Sequence, residues 1–142
     1  MRLIETSIDI SASAERIWNV LTRFDEYPVW NPFITSITGV PREGARLEVY
    51  IKPPGRAGMT FKPTIKLVTQ QQELKWLGHL LLPGLFDGEH RFRIESRGKI
   101  WRLHQSERFS GILVPLFGTG LLNATRGGFE AMNLALKTRA EA

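Results

Sequence analysis

The 142-residue chain contains no cysteine, which excludes a disulfide scaffold, thiolate metal ligation and a cysteine nucleophile. Histidine is scarce: His79, His90 and His104 are the whole supply, and no His-x-x-x-His pair offers a metal its ligands. Long apolar runs are missing too. The longest, Ile112 to Leu122, is too short to span a bilayer and is broken by Pro115, Gly118 and Gly120. The N-terminus carries Glu5 and Asp9 where a secretion signal needs unbroken apolar residues, so a cytoplasmic location is expected. There is no repeat, low-complexity tract or Pro/Ser-rich linker, and a single domain over residues 1–142 is expected. Nucleotide and nucleophile motifs fail as well. Gly118-Thr119-Gly120 has no third glycine at Asn123 and no Gly-Lys-Ser/Thr ending, and Ser110 has no nucleophile-elbow surroundings. No metal and no cofactor are expected.

The composition that remains is that of a folded domain, 42% hydrophobic and 10% aromatic. A chain of this length buries roughly 68–70% of its extended surface, enough for a core without staples. Nineteen Lys and Arg against fourteen Asp and Glu give a formal charge of +5, which attracts anions in general. Arg91, Arg93, Arg97, Lys99, Arg102 and Arg108 crowd into one stretch. Parity sets Arg91 and Arg93 opposite Phe92, and Arg102 and Arg108 opposite Leu103, on an outer face with Glu89 and Glu95. No aromatic residue interleaves there as a base-stacking surface requires. Specific nucleic-acid binding is therefore not expected, and contact with anionic membrane is at most weak.

Residues 3–10 alternate, with Ile4, Thr6, Ile8 and Ile10 on one face, which predicts a half-buried strand. Ser13 then caps a helix carrying Ala14, Ile17, Leu21 and Phe24, with Glu15 in its first turn. That helix should stop before Pro28, leaving Asp25 to Pro32 as a tight aromatic corner. From there the period is two, predicting strands near 33–40, 45–52, 59–68, 72–80, 88–97 and 99–110. Alternation such as His90, Phe92, Ile94 against Arg91, Arg93, Glu95 belongs to antiparallel sheets with one wet face. The C-terminal part is helical, with one stripe of Leu122, Thr125, Phe129, Met132 and Leu136. A second stripe of Leu121, Ala124, Gly128, Ala131 and Ala135 lies beside it. So broad an apolar arc calls for a concave container, and the sheet is the natural one.

This order of elements resembles the START-like or helix-grip superfamily, which includes the birch pollen allergen group, lipid-transfer START domains and bacterial polyketide cyclase/dehydrase-like proteins. The segments that carry the resemblance are Ser13 to Trp18, Tyr27-Pro28-Val29-Trp30-Asn31-Pro32, Phe86 to Phe92, Glu107 to Gly111, and Met132 to Lys137. It spans about residues 2–140 and is specific for fold and subgroup. It implies an α+β helix-grip fold: a curved antiparallel sheet of about seven strands around the long C-terminal helix, with a short helical segment after the first strand. It also implies a hydrophobic cavity between sheet and helix. No common reaction comes with it.

Within that frame, Trp101, Leu103, Gln105, Glu107 and Phe109 share the inward face of the last strand by parity. An inward Glu107 is either a ligand anchor or general base, or a carboxylate tied to backbone amides or an Arg. His90 is the histidine that parity turns inward. It pairs with Glu107 as acid and base only if the two strands bring them within hydrogen-bond reach; otherwise it is a satisfied structural group. Trp76, Phe92, Trp101, Leu103, Phe109, Phe129 and Met132 are expected to supply apolar ligand contact, with Trp30 at the corner. Gln105, Glu107 and His90 would hold the few polar atoms. The segment Leu80 to Phe86 reads as packed core or as a flap over the mouth.

Three functions follow. The first is binding or transport of a small hydrophobic molecule such as a lipid, isoprenoid or aromatic polyketide. The second is cyclase/dehydratase chemistry in the same cavity, with Glu107 or His90 abstracting a proton. The third is a protein-partner domain such as a chaperone ATPase regulator, which a core filled by its own side chains would favour.

Overall fold

A computed structural model of the chain describes residues 1–80 and 82–142; Leu81, inside the apolar segment Leu80 to Phe86, lies outside the described residues. The first strand, β1 (Arg2–Ile10), buries Ile4 and Ile10 and leaves Leu3 and Glu5 exposed, as its alternation dictates. Helix α1 (Ala14–Thr22) begins where Ser13 Oγ accepts the Arg16 amide at 3.0 Å. It buries Ile17, Trp18, Val20 and Leu21.

The corner that follows is helical rather than an open turn. A 3-10 turn (Phe24–Glu26) leads into the short helix α2 (Tyr27–Trp30), with Pro28 in its first turn. Proline costs nothing there, because first-turn amides have no intrahelical acceptor to lose. The side chain of Asn31 then accepts the amides of Phe33 and Ile34 at 3.0 and 2.9 Å and launches the next strand.

Seven more strands follow: β2 (Ile34–Thr38), β3 (Glu48–Ile51), β4 (Met59–Phe61), β5 (Thr64–Thr69), β6 (Glu73–Leu80), β7 (Phe86–Arg97) and β8 (Ile100–Ser110). They form a five-stranded antiparallel sheet in the order β1-β8-β7-β6-β5 and a three-stranded one in the order β2-β3-β4. The expected strand over 59–68 is thus two strands in two sheets. Pro63 sits at the break, where a residue without an N–H cannot continue a ladder on both sides. The sheets meet at a seam: the Leu47 amide donates to Pro63 O at 2.8 Å, and the Ile65 amide to Ala45 O at 2.9 Å.

Register decides what faces inward. It shifts in β2/β3 between Ile34 and Ser36 and in β5/β6 between Ile65 and Leu67. Between β7 and β8 it runs unbroken from Asp87↔Ser110 to Arg97↔Ile100. Parity therefore holds in the two strands that carry the candidate residues. The long helix α3 (Thr119–Glu141) packs on β1, β8, α1 and α2. Its buried face is Thr125, Phe129, Met132, Asn133, Leu136 and Ala140. Of the expected small-residue stripe only Gly128 is fully buried, because its backbone meets the Phe33 ring directly; Leu121, Ala124, Ala131 and Ala135 are half-buried.

On the outer sheet face three cations of the basic stretch meet carboxylates, two across strands and one along β7. Arg91 meets Glu73 at 2.5 Å, Arg102 meets Asp9 at 2.7 Å, and Arg93 lies 3.9 Å from Glu95. Among the described residues no helix is long and apolar enough to cross a membrane.

Candidate functional site

A cleft opens between the two sheets under the N-terminal half of α3. Phe33, Ile34, Val49, Ile51, Met59 and Phe61 form one wall, and Trp76, Gly78, Gly88, His90, Glu107 and Phe109 the other. Phe86, Phe117, Leu121 and Thr125 close one side, and Pro63, His79 and Leu80 stand along the sheet edge. The cleft offers about 90 Å³ to the centres of water-sized molecules. That is below the roughly 150 Å³ of a cavity that encloses benzene, so the cleft, open at its mouth, admits one end of an apolar molecule.

The lining is apolar except at one place. His90 and Glu107 are direct partners across β7 and β8, and His90 Nδ1 lies 3.3 Å from Glu107 Oε1. Trp76, the partner of His90 across β6, stacks on the imidazole with centroids 5.1 Å apart at 25°. Phe92 and Phe129 flank it at 4.7 and 4.9 Å. Glu107 keeps 18% of its side chain exposed to the cleft. Its second oxygen, Oε2, lies 2.5 Å from where a Cβ on residue 88 would stand, so glycine there makes room for the carboxylate.

Behind the pair runs a buried polar chain whose direction is fixed. The Thr6 hydroxyl spends its single proton on Gln105 O at 2.8 Å, so Thr6 Oγ1 accepts from Asn133 Nδ2 at 2.9 Å. Asn133 Oδ1 therefore faces Gln105 and takes its Nε2–H at 2.7 Å. That leaves Gln105 Oε1 toward His90 Nε2 at 2.9 Å, and the imidazole must carry its proton on Nε2. Nδ1 is then the nitrogen that faces Glu107 Oε1, and the two can bond only through a further proton held by the pair.

Trp76, His90, Glu107 and Phe109 thus line the cleft. Phe92, Gln105 and Phe129 lie one layer behind His90, where they hold its ring. Leu103 and Met132 are fully buried core outside the lining. Trp101 pairs with Ile10 and Ser96 at the other end of β8, and Trp30 packs on Tyr27 at 5.1 Å; neither reaches the cleft. Asn133 is the polar residue that pattern reading passed over. It sits on the flank of α3 beside Phe129, and its neighbour Gln105 was the only signal of it.

At the edge of the cleft, His79 Nδ1 bonds Asp87 at 2.7 Å. That bond and the Gly84 amide hold the Asp87 carboxyl below the ordinary aspartate range. In the corner, burial pushes the Tyr27 hydroxyl far up, and it donates to Leu21 O.

A curved antiparallel wall, a long helix laid in its concavity and an apolar cleft between them define a START-like, helix-grip domain. The chain belongs to the family described as polyketide cyclase / dehydrase and lipid transport, which matches residues 1–141. Solved structures of the same fold include a START superfamily protein from Mycobacterium smegmatis, 21% identical, with 98% of this chain and 97% of that one covered and a TM-score of 0.76. The Aha1 dimer from Colwellia psychrerythraea is 19% identical over 99% and 97% of the two chains, with a TM-score of 0.73. Ara h 8.0201 is 13% identical over 98% and 97%, with a TM-score of 0.71. No curated protein sequence matches the chain at a significant level.

Proposed function

We propose that the protein binds a small, largely apolar molecule in the cleft between its two sheets. The observation that carries this reading is the lining itself: a ring of aromatic and aliphatic side chains with one polar pair, Glu107 and His90, at a fixed place. Such a division, apolar area for affinity and a few placed polar atoms for orientation, is what ligand sites use. A domain whose only role was to meet a protein partner would have no need to leave this interior space open. Burial supplies about 25 cal/mol per Å² of apolar surface before ordering costs are subtracted.

Native mass spectrometry of freshly purified protein, followed by solvent extraction, tests it. The expected result is a non-covalent adduct at near-stoichiometric level that is lost on denaturation. A bare mass, together with no uptake of a fluorescent apolar probe, overturns the reading.

A second reading rests on the 3.3 Å approach of His90 to Glu107. It is cyclase/dehydratase chemistry, in which the carboxylate removes a proton α to a carbonyl while the cleft excludes water. Glu107→Gln separates the two. It leaves affinity for a purely apolar molecule unchanged, and under the second reading it abolishes deuterium exchange from solvent into the bound carbonyl compound.

A further inference from the structure

The proton inventory of the cleft says which polar group a bound molecule must carry. Both nitrogens of His90 are engaged, Nε2 toward Gln105 Oε1 and Nδ1 toward Glu107 Oε1. Glu107 Oε2 has no hydrogen-bond partner among the described residues and stands over Gly88, facing the cleft. The Thr125 hydroxyl gives its proton to Leu121 O at 2.8 Å and keeps only lone pairs for the cleft. His79, at the edge, has its Nδ1 taken up by Asp87 at 2.7 Å. No Lys or Arg side chain belongs to the lining. Among the described lining residues left with a free polar function, Glu107 Oε2 and Thr125 Oγ1 accept a proton bond, while the Trp76 indole N–H gives one but carries no formal charge.

We propose that the cleft selects molecules that donate a hydrogen bond, namely alcohols, phenols or amines on a compact apolar frame, and rejects carboxylic and other anionic ones. This rests on the binding reading above and adds its chemical class. A donor hydroxyl reaching Oε2 makes a charge-assisted bond in a water-poor site. A ligand carboxylate at the same place sets acceptor against acceptor with no Lys or Arg in the lining to bridge them, and neither can be left unpaired there cheaply. The overall charge of +5 suggests the opposite preference. That excess does not act inside the cleft, since no Lys or Arg is in its lining and Arg91, Arg93 and Arg102 are held on the outer sheet face by Glu73, Glu95 and Asp9.

Three matched probes separate the outcomes: p-cresol, p-toluate and toluene, which share one tolyl ring and differ only in the group it carries. Ligand-observed NMR titration of the whole chain at neutral pH reads their affinities. The expected order is p-cresol above toluene above p-toluate, with p-cresol favoured over p-toluate by roughly tenfold or more. In Glu107→Gln that gap closes to within a few-fold. Gly88→Ala, which drives the carboxylate from its place, gives a second variant with the same expected loss of preference should the first fold poorly. Equal binding of p-cresol and p-toluate, or a preference that survives both substitutions, overturns the selection while toluene binding keeps the cleft reading intact. Binding of none of the three overturns both.

Discussion

The four-residue polar chain from Thr6 to His90 is buried from Asn133 onward, and each link depends on the next. Asn133 is 2% exposed and Gln105 wholly buried. Asn133→Leu strands the Gln105 Nε2–H and removes the donor to Thr6, so it is expected to cost about 1–3 kcal/mol in urea unfolding. Gln105→Leu costs a similar amount alone, because it strands Asn133 and His90. The double substitution costs clearly less than the sum, since two groups that lost each other are both gone. Strict additivity would show that the chain does not act as one unit.

Two adjacent glycines of α3 give opposite expectations. A methyl on Gly127 meets only Pro54 Cγ, at an ordinary 3.7 Å, so Gly127→Ala gains helix stability of up to about 1 kcal/mol. A methyl on Gly128 runs into the ring of Phe33, which is buried and packed edge-on against Phe129 at 5.5 Å. Gly128→Ala is therefore expected to destabilise by about 1–3 kcal/mol despite the same gain in propensity. Thermal unfolding of the two variants side by side checks the pair of signs. At this scale much was legible in advance. The Ser13 cap and the alternation of β1, β7 and β8 are local signals, and parity turned His90 and Glu107 each inward; that they are cross-strand partners depends on the β7/β8 register, which parity does not give. The break at Pro63 was visible as a proline but not as a change of sheet, because which strand each half pairs with is decided by the distant segment at Leu47. The burial of Asn133 was invisible for a related reason: a polar residue on a helix flank reads as solvated until its partner on β8 is known.

Across the whole molecule, carboxyls are bonded to basic side chains of neighbouring strands, between α3 and the corner, and within α3 itself. Arg102 bonds Asp9, Arg139 bonds Glu26, His79 bonds Asp87, His104 bonds Glu95, and Lys137 bonds Glu141. These bonds hold the five carboxyls below their ordinary values of 3.8 for aspartate and 4.5 for glutamate. A carboxyl depressed by folding stabilises the native state above its unfolded value and loses that contribution as pH falls through the folded one. The melting temperature is thus expected to be level from neutrality to about pH 5 and to fall on further acidification. Added salt shallows the drop, because all five carboxyls lie at the surface. Scanning calorimetry across that range checks it; a fall that starts near neutrality would point to other groups.

The ring of His90 lies within 5.1 Å, centroid to centroid, of Trp76, Phe92 and Phe129. Each of those rings sets up its own diamagnetic current, so the imidazole carbon-bound protons sit in three overlapping local fields. The other two histidines, His79 and His104, lie on the edge and outer face, where no such stack forms. A plain one-dimensional proton spectrum should accordingly carry one displaced histidine resonance. Because Glu107 and Trp76 both touch that ring and both face the cleft, occupancy can be followed at natural isotopic abundance from a single line.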